Sequence, residues 1–221
     1  MATFDLEEQE QISELKTWWK MYGNLVTAVL LVVAIGVAGW QGWNWYQRKQ
    51  ATEASAVYAV LQRAVAERDA KRVRDAAGEL AEKHPGTVYA AMGALTSARM
   101  QFDAGDLKTA KAQLQWVVGQ AGDKDLRDLA RLRLAHVLFD EQAADEALKL
   151  LAEASAPAFA ARYAELKGDI LAAQGKKAEA KAAYQGAIAG QEAADKAGGM
   201  AGRDAQYREL LQMKADSLGD K

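Results

Sequence analysis

Residues 21–47 constrain this chain most, because none of them carries a charge. A helix rises about 1.5 Å per residue, so this segment would be roughly 40 Å long, more than the ~30 Å hydrocarbon core of a bilayer. Its most apolar part, residues 25–40, is rich in Leu, Val, Ile and Ala. The pattern predicts a single transmembrane helix over residues 21–47.

Aromatic side chains flank this segment on both sides. Tryptophan and tyrosine favour the headgroup layer, where the ring meets the acyl chains and the polar N–H or O–H meets water. The predicted membrane-interface anchors are Trp18, Trp19 and Tyr22 on one side and Trp40, Trp43 and Trp45 on the other.

A buried core helix and a cleaved signal peptide fit the apolar segment less well. A buried core helix of this length would normally show a polar face. A cleaved signal peptide should begin with basic residues, whereas residues 5–14 are acidic, so we favour an uncleaved signal anchor. Basic residues are almost equally numerous near the two ends, so charge alone leaves the orientation open.

The N-terminal segment, residues 1–20, combines acidic and apolar side chains. Its apolar members include Phe4, Leu6, Ile12 and Leu15. The pattern fits either a short amphipathic helix or a polar tail.

Composition limits the fold class and the functions that the chain can have. The 221 residues include only 2 prolines, and the chain is rich in alanine, which favours helices almost throughout. We therefore predict an all-α protein. The absence of cysteine excludes disulfides, thiolate catalysis and cysteine-ligated metals. A net charge of −2 gives no reason to expect nucleic-acid binding.

Three segments of the alanine-rich region align as an internal repeat. They cover residues 94–117, 131–154 and 164–187, and equivalent positions are offset by 37 and then by 33 residues. The shared positions, in chain order, are a small residue (Ala98, Ala135, Gly168), a turn residue (Gly105, Gln142, Gly175), a second small residue (Ala110, Ala147, Ala180), a larger one (Leu114, Leu151, Tyr184) and a final apolar one (Val117, Ala154, Ala187). Small residues let two helices approach, and hairpins bury their apolar faces by stacking. The pattern resembles the tetratricopeptide repeat and predicts an α-solenoid of helical hairpins over residues 91–191.

The segments on either side of the repeats are also helical in pattern. Residues 48–90 predict a connector and a degenerate first hairpin, and the first of its helices is expected to continue directly from the membrane segment. Residues 192–221 predict a linker and a C-terminal capping helix over the last repeat. The sequence leaves open whether this helix fills the concave face of the stack.

No catalytic or metal-binding pattern occurs in the sequence. The chain has two histidines, His84 and His136, and contains no H-E-x-x-H, G-x-S-x-G, P-loop or G-x-G-x-x-G sequence. We therefore expect neither enzymatic activity nor a cofactor.

The resemblance to the tetratricopeptide repeat implies that the first helix of each hairpin lines a concave, peptide-binding surface. Arg99 and Arg133 would matter most if the bound segment is acidic. The competing interpretation is that most apolar members of this face belong to the core or lie under the C-terminal helix. The predicted face comprises Met92, Leu95, Arg99, Phe102, Leu129, Leu132, His136, Phe139, Arg162, Glu165 and Asp169.

The layout of the chain resembles one family more specifically. The matching stretches are residues 17–24 (TWWKMYGN), 42–43 (GW), 46–47 (YQ), 129–135 (LARLRLA) and 165–170 (ELKGDI). Together with the acidic N-terminal segment and the single apolar span, they resemble the YfgM-type ancillary subunits of the bacterial SecYEG translocon.

That resemblance implies a single-pass protein of the bacterial inner membrane, with a cytoplasmic N-terminus and a periplasmic repeat domain. It implies as partners the SecYEG translocon, a membrane-anchored periplasmic chaperone related to prolyl isomerases, and unfolded, newly exported proteins. The expected role is a non-enzymatic scaffold or co-chaperone. The alternatives are an assembly factor for another envelope complex, such as one for cytochrome maturation, and a regulator whose acidic N-terminal segment binds a cytoplasmic partner.

Overall fold

A computed structural model describes residues 6–153, 157–196 and 201–219. The described chain is helical, without strands, so the predicted all-α class is confirmed. Phe4, Asp5 and Ala154, all used in the sequence patterns, lie outside the described residues. The helices are α1 (Leu6–Ala66), α2 (Ala70–Lys83), α3 (Val88–Asp103), α4 (Leu107–Gln120), α5 (Lys124–Asp140), α6 (Ala144–Ala152), α7 (Ala160–Ala173), α8 (Lys177–Lys196) and α9 (Ala201–Ser217), with a 3-10 turn at Pro157–Phe159.

The chain divides into two compact units, Met1–Gln50 and Ala51–Lys221. In the first unit, the described residues form the N-terminal part of α1, and large apolar side chains are exposed: Leu25 by 65 %, Val32 by 70 % and Ile35 by 67 %. Within Gln11–Ala66 the helix is long and apolar enough to cross a membrane, and only 6 % of its most apolar stretch is buried. A core helix of a soluble protein would bury these side chains, whereas a bilayer solvates them.

The second unit is a series of helical hairpins. The last turns of α1 pack with α2 and the start of α3 around Leu61, Val73 and Leu80. The pairs α3–α4 and α5–α6 share the largest core with the start of α7, and α8 and α9 close the series around Tyr184 and Leu211. No hairpin could bury its apolar face alone, so the core runs from one to the next.

The small residues of the repeat pattern are buried. The first-helix residues Ala98 and Ala135 are 1 % and 0 % exposed, and Gly168 is also buried. The second-helix residues Ala110, Ala147 and Ala180 are each 0 % exposed. The small size of these residues is therefore what allows the two helices of each hairpin to approach.

Local signals set the starts of the helices and the turns of the hairpins. The side chains of Asp69, Thr87, Asp106 and Asp123 each accept a hydrogen bond from the backbone N–H three residues on, which caps α2, α3, α4 and α5. The three equivalent turn residues adopt left-handed backbone angles, with φ of 81° at Gly105, 64° at Gln142 and 75° at Gly175. Gln142 thus occupies the conformation of the glycine that it replaces.

Candidate functional site

The first helices of the three hairpins, α3, α5 and α7, carry the predicted partner-binding face. Its apolar members Leu95 and Leu132 are only 5 % and 8 % exposed, so they belong to the core, as the second interpretation of the sequence allows. The exposed members are Met92, Arg99, His136 and Arg162, and the half-buried ones are Phe102, Leu129, Phe139, Glu165 and Asp169.

An open cleft of about 290 Å³ lies between α3 and α5. Its apolar walls come from Ala98, Phe102, Leu114 and Val137, and its polar rim from Arg99, Arg133, His136 and Asp140. Three predicted residues, Arg99, Phe102 and His136, therefore meet in one concavity. An apolar floor with a few convergent polar groups is the usual form of a binding site.

The two arginines of this cleft differ in their surroundings. The Arg99 Nε lies 2.8 Å from Asp103 Oδ2, in an exposed ion pair one turn along α3. Arg133 is half-buried, and its Nη1 donates to the backbone oxygen of Leu95 at 3.3 Å. Burial, together with the like charge of Arg99, lowers the pKa of Arg133 below its ordinary value. The guanidinium stays charged at neutral pH all the same, because an arginine pKa starts so high.

A second cleft, of about 190 Å³, lies between α5 and α7. It is lined by Leu132, His136, Arg162, Glu165, Leu166 and Asp169, so the two clefts meet at His136. His136 keeps an exposed edge, but the cleft walls remove water from part of its ring. This desolvation lowers the pKa of His136 below 6.5, and the opposing effect of Asp140, Asp169 and Glu165 does not offset it. His136 is therefore neutral at pH 7 where the clefts meet.

The C-terminal helix α9 occupies the acidic side of this second cleft. Lys214 Nζ donates to Glu165 Oε1 at 2.9 Å and to the two carboxylate oxygens of Asp169 at 2.8 and 2.9 Å. Tyr207 donates its hydroxyl to Glu165 Oε2 at 2.8 Å, and the guanidinium of Arg162 lies 3.8 Å from the Tyr207 ring centroid. We call these five side chains the α9 clamp. The sequence left open whether this helix fills the concave face. In the structure, α9 covers the α7 side of the face and leaves the α3–α5 cleft open.

The clamp shifts the ionisation of its own members. Burial alone would raise the pKa of Glu165, but hydrogen bonds from Lys214 and Tyr207 outweigh it and hold the pKa below 4.5. Burial likewise opposes the charge of Lys214, yet its bonds to Asp169 and Glu165 raise the pKa above 10.5. Both groups are charged at neutral pH, so the clamp is an ion-pair network there.

Sequence reasoning placed α9 over the last repeat but missed the clamp. Tyr207, Leu211 and Lys214 are spaced by four and three residues, so they share one face of a helix. That spacing could have identified the docked face of α9, with Leu211 0 % exposed at its centre.

The predicted membrane-interface residues all lie in the first unit. Trp18, Trp19, Tyr22, Trp40, Trp43 and Trp45 are each between 46 and 67 % exposed. The ring centroids of Trp18 and Tyr22 lie 5.8 Å apart, and the Lys49 ammonium lies 5.7 Å from the Trp45 ring centroid. The aromatic rings on both sides of the apolar stretch are thus free to meet a headgroup layer.

Most of the sequence matches a known repeat family. The family model of the tetratricopeptide repeat-like domain matches residues 16–220. The chain is therefore a tetratricopeptide-like repeat protein whose N-terminal helix has the length and composition of a membrane span.

Comparison with individual proteins makes the family assignment more specific. The chain is 32 % identical over 214 residues to the ancillary SecYEG translocon subunit of Neisseria gonorrhoeae, covering 96 % of this chain and 98 % of the relative. It is 31 % identical over 182 residues to the subunits of the same name from Haemophilus influenzae and Escherichia coli K12, covering 82 % of this chain and 89 % and 87 % of those relatives. The chain belongs to the family of ancillary SecYEG translocon subunits, as the sequence resemblance indicated.

Proposed function

We propose that this chain is a non-catalytic, membrane-anchored scaffold or co-chaperone at the SecYEG translocon. One observation carries this proposal. The similarity to a protein named ancillary SecYEG translocon subunit, from Neisseria gonorrhoeae, extends over 96 % of the chain, the apolar helix included. The apolar helix spans the inner membrane once, and the repeat unit binds protein segments. Anchoring beside the translocon raises the effective concentration of the repeat unit where exported chains emerge.

The proposed orientation has the N-terminus in the cytoplasm and the repeat unit in the periplasm. The proposed partners there are a membrane-anchored chaperone related to prolyl isomerases and newly exported, unfolded proteins. The open cleft between α3 and α5 supports this role, because it offers apolar walls and charged rim groups to a peptide segment.

Photocrosslinking in cells tests the proposal. A photoreactive amino acid replaces Val33 in the apolar helix, Phe102 in the cleft or Lys149 on the exposed side of α6 as a control. We expect Val33 probes to crosslink to the translocon channel and Phe102 probes to a chaperone or exported protein, with Lys149 probes giving neither.

Different crosslinking patterns would overturn the proposal. Crosslinks from Val33 to another envelope complex, with none to the translocon, would favour an assembly factor for that complex. A further probe at Gln11 tests the N-terminal segment. Crosslinks from Gln11 to a cytoplasmic protein, with none from Val33 or Phe102, would favour a regulator.

A further inference from the structure

Arg133 lies at the cleft between α3 and α5 without an opposite charge. Among the described residues, no carboxylate lies within ion-pair distance of its guanidinium, which donates instead to the Leu95 carbonyl. The neighbouring Arg99 has Asp103, and Arg131 and Arg162 also have carboxylate partners. Arg133 is therefore a half-buried cation whose charge is left uncompensated in this part of the fold.

Such an arrangement costs stability. A charge that is partly buried without an opposite charge loses hydration energy, and no ion pair offsets that loss. The positive charge of Arg99 adds repulsion. A residue with a purely structural role would be expected to find a carboxylate. The position of Arg133 on the rim of an open cleft indicates that the missing carboxylate comes from another molecule.

The cleft walls indicate what accompanies that carboxylate. Phe102, Leu114 and Val137 form an apolar surface beside Arg133, which suits an aliphatic or aromatic side chain. Asp140 stands on the same rim and would repel an anion, so the carboxylate belongs at the Arg99–Arg133 side.

The junction of the two clefts indicates the course that a bound peptide takes. The α3–α5 cleft meets the α5–α7 cleft at His136, and the acidic groups of the second cleft already have Lys214 as their cation. The α9 clamp covers the acidic side of the second cleft, but space of about 190 Å³ stays open beside it. A segment lying along the first cleft and this open space would pass through rather than end at Arg133. That favours a side-chain carboxylate within a chain over a terminal carboxylate.

We propose that the cleft between α3 and α5 binds an internal peptide segment of a partner protein, with an Asp or Glu carboxylate on Arg133 and an adjacent apolar side chain against Phe102. This inference deepens the proposed function and rests on it, since it identifies the chemistry of the segment that the repeat unit captures. Arginine suits this role because its guanidinium can donate two parallel hydrogen bonds to one carboxylate.

Peptide selection tests the proposal even though the partner protein is unidentified. The full chain in lipid nanodiscs is exposed to random peptides displayed on phage, with each peptide joined at its C-terminus to the coat protein, and the captured pool is sequenced. We expect enrichment of Asp or Glu next to an aromatic or aliphatic residue. An individual peptide from that pool should bind at least tenfold more weakly when its acidic residue is replaced by Gln or Asn.

Variants of the chain assign the effect to Arg133. Arg133→Gln should abolish the acidic enrichment and weaken binding of the selected peptide at least tenfold, whereas Arg133→Lys should retain part of it. Arg63→Gln, at an exposed position on α1, is the matched control and should change nothing. The melting temperature of Arg133→Gln should equal or exceed that of the unmodified chain, because an uncompensated charge is removed.

Either of two selection results would overturn the proposal. One is a captured pool without acidic enrichment, or with the same enrichment on Arg133→Gln. The other is preferential capture of peptides with a free terminal carboxylate when the selection is repeated with peptides displayed in that orientation. Crosslinking separates this inference from the proposed function. If crosslinks from Phe102 to periplasmic proteins persist in Arg133→Gln cells, this inference alone is wrong. If the chain with Arg133 gives no crosslinks from either Val33 or Phe102, the proposed function is wrong.

Discussion

At the scale of single residues, the hairpin turns show how a repeat tolerates an imperfect copy. Gln142 takes a φ of 64°, where glycine residues stand in the two equivalent turns. A left-handed conformation costs a non-glycine residue roughly 1 kcal/mol, and glycine does not incur that cost. We therefore expect Gln142→Gly to stabilise the chain by up to about 1 kcal/mol in thermal unfolding followed by circular dichroism.

The neighbouring residue provides the control for that prediction. Glu141 has a φ of −77°, a conformation open to every residue, and its carboxylate pairs with Lys111 Nζ at 2.7 Å. Glu141→Gly should therefore lower the melting temperature, through backbone entropy and the loss of that ion pair. Equal changes in the two variants would contradict a role for the left-handed turn.

Gly168 is predicted to be required by packing rather than by backbone freedom. A Cβ atom built there would lie 2.5 Å from Tyr184 Cε1, and Tyr184 is 3 % exposed and donates its hydroxyl to Asp169. Gly168→Ala should therefore destabilise the chain by about 1–3 kcal/mol. Gly186→Ala in the facing helix α8 meets nothing within 4 Å and should stabilise by roughly 0.5–1 kcal/mol. Thermal unfolding distinguishes the two, and destabilisation by both would refute the packing argument.

The α9 clamp predicts a pH dependence with a defined sign. The pKa of Glu165 is lowered in the folded chain, so its contribution is present above its ordinary value of 4.5 and is lost as the pH falls through the lower folded value. Lys214 has a raised pKa, so its contribution is present below 10.5 and is lost as the pH rises further. The clamp should thus be strongest between these limits.

Melting temperatures of the unmodified chain and Glu165→Gln check this dependence. Glu165→Gln should melt lower near neutral pH, and the difference should shrink as the pH falls below 4.5 and through the lowered pKa of Glu165, where the unmodified carboxylate becomes protonated too. Glu146→Gln, at an exposed position on α6, serves as the control. A difference that is constant with pH would exclude the ion pair as its source.

The sequence alone located some of these residues but did not predict the contacts of others. The small residues and turn positions recur at fixed offsets, so the pattern alone located Ala98, Ala135 and Gly168. The half-buried state of Arg133 and the partners of Lys214 depend on contacts between segments distant in sequence, which periodicity cannot specify.

At the scale of elements, α9 completes the stack by covering the apolar face of the last hairpin. Leu211 is 0 % exposed and packs in one cluster with Leu171, Tyr184 and Ala187. Leu211→Ala should destabilise the chain by about 2–5 kcal/mol, through lost burial and the cavity that remains.

The adjacent leucine is a matched control for that substitution. Leu210 is 41 % exposed on the same helix, so Leu210→Ala should cost well under half as much. Urea unfolding of the full chain in nanodiscs measures both. If the two variants unfold alike, α9 does not dock through Leu211.

The helices were more predictable than their tertiary contacts. Turn sequences such as His84-Pro85-Gly86 and Ala104-Gly105-Asp106 separate the helices, and the capping residues Asp106 and Asp123 mark helix starts. Which side of the concave face α9 would cover was undetermined, because the choice depends on the pairing of Lys214 with Glu165 and Asp169 rather than on local propensity.

At the scale of the whole molecule, the proposed orientation is the property that charge counting leaves open. Long C-terminal domains translocate largely regardless of their own charge, so a periplasmic repeat unit is compatible with the positive-inside rule. The chain contains no cysteine, which allows single cysteines to report each side of the membrane against zero background.

We expect opposite labelling of two single-cysteine variants, Gln11→Cys before the apolar segment and Lys167→Cys in the repeat unit, both at exposed positions. A membrane-impermeant maleimide should label Lys167→Cys in cells whose outer membrane alone is permeable, because the site faces the periplasm. Gln11→Cys should react only after the inner membrane is lysed, since a charged reagent does not cross the hydrocarbon core. The unmodified chain is the control for background labelling. Reversed labelling would place the repeat unit in the cytoplasm, where it could not meet exported chains, and would overturn the proposed function together with the orientation.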